Sequence, residues 1–367
     1  MRFLISSALK DDNVSLFFWS LGSELKARGH QVTFVTWGKR SGPKSYDLDG
    51  SVLWYPSYRP QHWRDVHFIY RLAKEKRVDC AIGTHVALNA VAAGSLMAGV
   101  PVRVGWAHTT SRAFLVHLGG WSCKTAFLLL RRRLVYGLLS HVVAVSGECG
   151  NDLRRFWHVP VQKIAVIHNA VRGGADKGTR GETRTNRLVY VGRLAKEKGT
   201  DTLLKAFCLI SKFGEVHLDV FGSGSERENL EKLVRELGVD QRVHFHGAIP
   251  QDEVYRAFAK ADVAVVPSRE ESFGLVVIEA MSVGTPVVAS RVGGIPEILR
   301  DGVDGSLVPP EDPEALAAAI IRLLKDDALR LQMGRNARQR FLEEFQLSTR
   351  IPKVADWLEG LVAAAGR

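Results

Sequence analysis

The chain has 367 residues, of which 46% are hydrophobic and 24% charged, a composition that excludes intrinsic disorder and fibrous folds. This length favours two domains, because a single hydrophobic core stops growing efficiently at roughly 250 to 300 residues. The formal net charge is +11, and residues 1–170 hold 22 Lys and Arg against 10 Asp and Glu, so the basic excess of the first half predicts an anionic or phosphate-rich partner.

Cysteine spacing and the lengths of the apolar runs exclude further classes. The four cysteines, Cys80, Cys123, Cys149 and Cys208, form no C-x-x-C pair, so neither a zinc knuckle nor a redox dithiol is expected. The N-terminal MRFLISS is a poor secretory signal and fits a first strand. No segment reaches the roughly 18 apolar residues of a membrane span. We therefore expect a cytoplasmic protein, and peripheral contact with the inner face of the membrane stays open.

Short apolar runs alternate with helical patterns through the first half of the chain. The runs are RFLISS, QVTFVTW, VDCAIGTH, VRVGWAH, HVVAVS and IAVIHNAV. Several are apolar without alternation, as expected of strands buried on both faces of a parallel sheet. The pattern predicts a Rossmann-like α/β domain over residues 1–170. Residues 171–187 are rich in glycine and poor in apolar side chains, which predicts a linker or long loop.

A second α/β series follows and predicts another Rossmann-like domain over residues 188–345. Its predicted strands are RLVYVGRL, VHLDVFGSG, VHFHG, DVAVVPS and PVVAS, and helical patterns separate them. Residues 346–367 form a predicted C-terminal helix, for which packing on the first domain stays open. Ligands of doubly wound sheets bind beyond the carboxyl ends of the strands, so two such domains facing each other would enclose a central cleft.

The segment after the predicted strand that ends at Val266 is the richest in candidate site residues. If a helix starts near Phe273, with Ser272 as its cap, the backbone N–H groups at its start form an anion site. Glu271 then lies in the loop at the mouth of the helix, and Glu279 lies about two turns inside. Both carboxylates could address one ligand, although the spacing taken alone favours a solvated loop charge at Glu271 and half of a surface ion pair at Glu279.

Another predicted strand end carries two cations. In the segment VYVGRLAKEKG, Arg193 and Lys198 follow a buried strand, where two positive side chains could hold a diphosphate. Further along, the G-x-G at Gly222 and Gly224 lacks the third glycine of a dinucleotide fingerprint, because Arg227 occupies that position. This second feature indicates a tight turn.

Together these segments resemble the retaining glycosyltransferases of family GT4, which use nucleotide sugars and have the two-domain GT-B fold. The resemblance covers nearly the whole chain and is strongest from 187 to 315, where an E-x7-E pattern stands within PSREESFGLVVIEAM. It implies that Arg193 and Lys198 hold the donor diphosphate, that Glu271 contacts the sugar and that Glu279 contacts the ribose. It also implies that backbone amides contact the donor phosphates at Phe273, Gly274, Leu275 and Val276. The backbone implied beside the base is that of Gly247, Ala248 and Ile249.

In the first half the match to the family is looser. His108, at a predicted strand end, matches the histidine that in many relatives lies next to the transferred sugar, which implies a catalytic role. For His85 a structural role remains the default. The glycine pair that the family shows in its first loop falls on Asp12 and Asn13. Because Asn tolerates a left-handed backbone, a tight loop is expected to survive, while Asp12 could repel a donor phosphate.

Candidate metal ligands are sparse in this sequence. Asp47 and Asp49 form a D-x-D in a polar segment, and His244 and His246 point to one side of a predicted strand. No sugar-nucleotide element lies near the first pair, and the second pair has no third ligand in view. The resemblance implies metal-independent transfer without a cofactor, with the nucleotide sugar as co-substrate.

A basic cluster, Arg131, Arg132 and Arg133, interrupts a long apolar pattern at 124–141. A buried helix with a solvated charged turn and a contact with an anionic membrane or acceptor both fit this pattern. No nucleic-acid-binding module is recognised, so a nucleic acid is not an expected partner.

The sequence therefore favours a hexosyltransferase of the EC 2.4 class. It would move a sugar, with UDP-sugars favoured as donors, to a hydroxyl of a glycan or lipid-linked acceptor in cell-envelope or exopolysaccharide synthesis. The basic first domain, residues 1–170, would bind the acceptor. Two alternatives stay open, namely a nucleotide-sugar epimerase of the same fold and a non-catalytic subunit that binds sugar nucleotides.

Overall fold

The computed structural model describes residues 1–10, 12–38, 52–117, 122–174 and 183–366. Asp47, Asp49 and part of the predicted linker lie outside the described residues. The chain divides into two compact units, which are Met1–Asn169 together with Leu347–Arg367, and Ala170–Gln346.

The first unit is built on a parallel seven-stranded sheet. Its strands are β1 (Arg2–Ser6), β2 (Gln31–Thr36), β3 (Val52–Trp54), β4 (Cys80–Thr84), β5 (Val102–Ala107), β6 (His141–Ala144) and β7 (Ile164–Val166). Its helices are α1 (Asn13–Ala27), α2 (Trp63–Glu75), α3 (Leu88–Met97), α4 (Ser111–His117), α5 (Cys123–Leu138) and α6 (Gly147–Arg155). The strand order is β3-β2-β1-β4-β5-β6-β7. All six predicted strands are confirmed, whereas β3 was not predicted because it is a half-buried edge strand of three residues.

The second unit is built on a parallel six-stranded sheet. Its strands are β8 (Arg187–Val191), β9 (His217–Phe221), β10 (Val243–Gly247), β11 (Val263–Val266), β12 (Val287–Ser290) and β13 (Ser306–Val308). Its helices are α7 (Thr200–Ile210), α8 (Arg227–Glu236), α9 (Gln251–Lys260), α10 (Leu275–Ser282), α11 (Ile295–Ile298), α12 (Pro313–Lys325) and α13 (Asp327–Arg340). The strand order is β10-β9-β8-β11-β12-β13. Every residue of β11 and β12 is buried, as the unbroken apolar runs predicted.

The C-terminal helix α14 (Leu347–Ala365) belongs to the first unit. It packs on α1, where Arg28 donates hydrogen bonds to Asp356 at 2.6 Å and to Glu359 at 3.2 Å. The bonds to Asp356 and Glu24 raise the pKa of Arg28. The ring of His30 adds a 2.8 Å contact to Glu359, so α14 is fixed along the end of α1.

Each sheet reverses its strand order at one point, which makes both units doubly wound as predicted. In the first unit the reversal lies between β1 and β4, and in the second it lies between β8 and β11. Loops that follow adjacent strands at such a point diverge and leave a crevice for a ligand. The described part of the chain contains no helix that combines the length and hydropathy needed to span a bilayer.

Candidate active site

The central contact of the second unit joins the loops that follow β8 and β11. Lys198 ends a single 3-10 turn, and its Nζ donates a hydrogen bond to Oε2 of Glu271 at 2.5 Å. Both side chains are mostly buried, with exposed fractions of 20% and 16%. Two residues that the sequence predicted separately therefore form one ion pair at the reversal point of the sheet. The two charges of a largely desolvated pair attract each other more strongly than those of a surface pair, because water screens them less.

Two glycines allow the neighbouring loops to approach this pair. Gly199 has φ of 64°, and a Cβ there would lie 2.1 Å from the carbonyl oxygen of Pro267. Gly293 has φ of 52°, and a Cβ there would lie 1.7 Å from the carbonyl oxygen of Glu271. Any side chain at either position would collide with backbone. Since Gly294 also donates to the Glu271 carbonyl at 3.1 Å, the loop after β12 fixes the backbone of Glu271.

Arg269 joins the same loops and was missed by sequence reasoning. Its guanidinium makes two hydrogen bonds of 2.8 Å to the carboxylate of Asp201 at the start of α7, and its Nε donates to Glu311 at 2.7 Å. The bonds to Asp201 raise the pKa of Arg269. The partners of Arg269 are distant in sequence, so no local pattern identifies it. The one sequence feature that could have drawn attention to Arg269 is its position two residues before Glu271.

Arg193 occupies a more exposed position than Lys198. Its Nη2 donates to Glu197 at 2.7 Å, and 58% of its side chain is exposed. The buried hydroxyl of Tyr190 donates to the backbone carbonyl of Arg193 at 2.9 Å, which holds the loop in place. The predicted pair of cations therefore consists of one cation tied to Glu271 and one paired with Glu197 at the surface.

Helix α10 starts later than predicted. Gly274, with φ of 111°, is the N-cap, so the expected start at Phe273 with Ser272 as cap is wrong. Phe273 is instead buried against Phe345. The N–H groups of Leu275 and Val276 lie in the first turn, where no intrahelical acceptor exists, and they form the positive end of the helix.

The later helix start also changes the depth of Glu279. This residue lies four positions after Leu275, about 6 Å and one turn along α10 rather than two turns. Its side chain is 8% exposed, and it accepts a hydrogen bond from Nε2 of Gln251 at 3.1 Å. Gln251, the first residue of α9, had no recognisable signal in the sequence.

The stretch predicted to lie beside a base, Gly247 to Ile249, begins at the last residue of β10. The carbonyl of Gly247 accepts the N–H of Gly222 at 2.7 Å, which connects the loops after β10 and β9. Ala248 is exposed at this edge and Ile249 is half-buried. The stretch is therefore accessible to a ligand.

His244 and His246 each contact other side chains. The His246 ring stacks on Phe221 and bonds Asp219 at 2.7 Å, and the His244 ring stacks on His217. Within the described ranges, no group of three or more His, Cys, Asp and Glu side chains is arranged to hold a metal ion.

In the first unit, His108 follows β5 and stacks on His85. The ring centroids are 4.6 Å apart and the planes differ by 10°. The Nε2 atom of His108 is buried and has no hydrogen-bond partner among the described residues. Burial, together with the charges of His85 and Arg132, holds the pKa of His108 well below its ordinary value. His108 is therefore neutral at neutral pH, with an unused ring nitrogen.

The three consecutive arginines of α5 separate into different environments. Arg132 lies over the rings of Phe114 and Tyr136, at 5.7 and 5.3 Å from their centroids, and its Nε donates to the Tyr136 hydroxyl at 3.2 Å. Arg131 is half-buried and Arg133 is exposed. Arg132 thus packs on aromatic side chains of its own unit, which distinguishes it from its two neighbours.

A cavity of about 470 Å³ lies at the reversal point of the first sheet. Its lining comes from the loops after β1, β2, β3 and β4 and includes Lys10, Asp12, Trp37, Arg59 and His85. The cavity combines two cations, one carboxylate and an indole ring, which suits a polar ligand with an anionic group.

Asp12 has a structural role at the edge of this cavity, where it caps helix α1. Its carboxylate caps α1 by accepting the N–H of Ser15 at 2.7 Å, and its backbone is extended, with φ of −142°. Asn13 is the first residue of the helix. The expected left-handed backbone at this position is therefore wrong, and a capped helix start replaces the tight glycine loop.

The buried neutral state of His108 predicts a pH dependence of stability. Because the folded pKa is depressed, the unfolded chain binds more protons below about pH 6.5, and stability falls by up to about 1.4 kcal/mol per pH unit. Above about pH 6.5 His108 is neutral in both the folded and the unfolded chain, so it adds no further pH dependence to the stability. Urea unfolding between pH 7.5 and 5.0 should show a smaller acid loss for His108→Asn than for the wild type. Parallel losses in the two proteins would contradict a neutral buried His108.

Comparison with known protein families gives two matches that together span most of the chain. The sequence profile described as Glycosyltransferase Family 4 matches residues 14–172, and the profile described as Glycosyl transferases group 1 matches residues 176–340. The boundary between the two matches falls within 171–187.

Individual relatives match shorter segments. An uncharacterized glycosyltransferase of Methanocaldococcus jannaschii is 33% identical over 217 residues, which is 56% of each chain. A D-inositol 3-phosphate glycosyltransferase of Corynebacterium urealyticum is 42% identical over 158 residues, or 41% of this chain and 37% of the relative. The chain thus aligns with about half the length, or less, of these curated relatives.

A solved structure matches over nearly the full length. The Anabaena protein HepE in complex with UDP superimposes with a TM-score of 0.78 and 21% identity, covering 98% of this chain and 99% of that one. This likeness identifies the fold.

Proposed function

We propose that this chain transfers a sugar from a UDP-sugar to a hydroxyl of an acceptor. The chain belongs to glycosyltransferase family 4 and has the GT-B fold. The single observation that carries the proposal is the Lys198–Glu271 pair at the reversal point of the second sheet, beside the loop that leads into α10. UDP is favoured because the structurally similar HepE binds it.

The donor site works by charge complementarity. The diphosphate of the donor is held by Lys198, Arg193 and the N–H groups at the start of α10, which stabilise the negative charge that grows as the glycosidic bond breaks. Glu271 binds hydroxyl groups of the sugar, and Glu279, oriented by Gln251, binds the ribose. The cations and the helix end supply the positive charge, so the proposed transfer requires no metal.

The proposed reaction retains the anomeric configuration. The bond from the anomeric carbon to the phosphate oxygen breaks, and the bond to the acceptor oxygen forms on the same face of the sugar. The departing phosphate oxygen takes the acceptor proton, so no protein base is needed. In this proposal His108 orients the sugar through its neutral imidazole rather than acting as an acid.

The proposed acceptor is an anionic or lipid-linked glycan of the cell envelope or of an exopolysaccharide. The cavity of the first unit carries Lys10 and Arg59 for an anionic group and Trp37 for stacking on a sugar ring. The name of the Corynebacterium urealyticum relative likewise includes a phosphorylated polyol.

Product analysis tests this function. With UDP-, GDP- and ADP-sugars supplied separately alongside phosphorylated or lipid-linked glycan acceptors, we expect the UDP-sugar to be consumed fastest. NMR of the first-formed product should show the anomeric configuration of the donor. An inverted product would contradict the proposed mechanism. Conversion of the sugar without acceptor would indicate an epimerase, and donor binding without turnover would indicate a non-catalytic subunit.

A further inference from the structure

Helix α5 of the first unit presents an apolar strip to solvent. Phe127, Leu130 and Leu134 have exposed fractions of 64%, 57% and 61%. At about 100° per residue, the three side chains fall within about 60° of one another on the helix surface. The opposite face of α5 is buried through Val135 and Tyr136, so the helix itself is anchored in the unit. Three large apolar side chains on one exposed face mark an interaction surface.

Charge indicates what covers this strip, which we call the α5 strip. Arg131 lies on one side of it and Arg133 on the other, by the same helical geometry. Residues 1–170, which contain α5, carry 22 Lys and Arg against 10 Asp and Glu. Apolar side chains flanked by cations match a bilayer surface with anionic headgroups, since the apolar groups enter the acyl boundary and the cations meet the phosphates.

We propose that the α5 strip docks the first unit on an anionic membrane, with Phe127, Leu130 and Leu134 inserting at the interface and Arg131 and Arg133 contacting headgroups. Arg132 takes no part, because it packs on Phe114 and Tyr136. The proposal goes beyond the transfer reaction, since membrane binding is measured without either substrate.

Vesicle flotation of the full chain tests the proposal. Wild-type protein should bind vesicles that contain phosphatidylglycerol at low salt. The variant Phe127→Ser/Leu130→Ser/Leu134→Ser should bind about tenfold more weakly or worse at low and high salt alike, because the inserted apolar area is lost. The variant Arg131→Gln/Arg133→Gln should lose about fivefold per charge at low salt, and this difference should shrink at high salt.

A matched control comes from the second unit. Phe213 has the same exposed fraction as Phe127, 64%, and Phe213→Ser should bind vesicles as the wild type does. Circular dichroism should show all variants folded, since Arg131 is half-buried and the other replaced side chains are exposed.

Three outcomes would overturn the proposal. The first is a wild-type protein that ignores phosphatidylglycerol vesicles at low salt, and the second is a folded strip variant that binds them as tightly as the wild type. The third is a strip variant that changes the molar mass in light scattering while vesicle binding is unchanged. That result would assign the α5 strip to contact between copies of the chain.

Discussion

Replacing Lys198 by Ala is expected to lower kcat/KM for sugar transfer by about tenfold or more, which corresponds to about 1.4 kcal/mol of transition-state stabilisation. The variant loses the cation proposed to face the donor diphosphate and leaves the carboxylate of Glu271, 16% exposed, without its 2.5 Å partner. Glu271→Ala is expected to cause a loss of similar size, because it removes the sugar contact and leaves Lys198 unpaired. Steady-state kinetics with a UDP-sugar measure both losses.

A double variant and a matched control sharpen this result. Because Lys198 and Glu271 are in direct contact, the double Ala variant should lose less than the sum of the two single losses. The control is Lys232→Ala, which breaks another Lys–Glu pair of the second unit whose side chains are 73% and 57% exposed. It should leave transfer unchanged. Near-wild-type turnover in both single variants would remove the proposed donor site.

Gly199→Ala is expected to lower the free energy of unfolding by about 3 kcal/mol and to weaken donor binding. The substitution forces an L-residue to adopt φ of 64° and places its Cβ 2.1 Å from the carbonyl oxygen of Pro267. The loop after β8 must then move away from the loop after β11, which separates Lys198 from Glu271. Urea unfolding measures the stability, and the rise in Tm caused by UDP measures donor binding.

Gly238→Ala is the matched control for Gly199→Ala. Gly238 has nearly the same backbone conformation, with φ of 66°, but a Cβ there would meet no atom within 4 Å. It should cost about 1 kcal/mol for the left-handed backbone alone and leave the UDP-induced rise in Tm unchanged. Equal effects of the two substitutions would contradict the idea that close approach to Pro267 sets the geometry of the site.

The sequence by itself determined eleven of the thirteen strands in the described residues, the fold class and most candidate site residues. Unbroken apolar runs predicted six strands in the first unit and five in the second, because strands buried on both faces of a parallel sheet carry apolar side chains in succession. Loop residues such as Glu271 and Lys198 were identified because they follow buried strands, where ligands of doubly wound sheets bind. These signals are local, so they can be read without knowing which strands are neighbours.

Local sequence signals misplaced one helix start and missed two strands of three residues. Helix α10 begins at Leu275 rather than at the predicted Phe273, because Phe273 is buried against Phe345 and Gly274 adopts a left-handed backbone. Strands β3 and β13 were missed because each has only three residues and gains its ladder from pairing with a neighbouring strand, β2 and β12 respectively. In both cases contacts from elsewhere in the chain outweigh the local preference.

The tertiary structure alone decided which charges meet. Lys198 pairs with Glu271, and Arg269 pairs with Asp201, although each pair is about 70 positions apart in sequence. Likewise Arg132 packs on aromatic rings while Arg133, its neighbour, is exposed. Partners of this kind are set by strand order and by helix rotation, because two side chains interact through their distance in space rather than their separation along the chain.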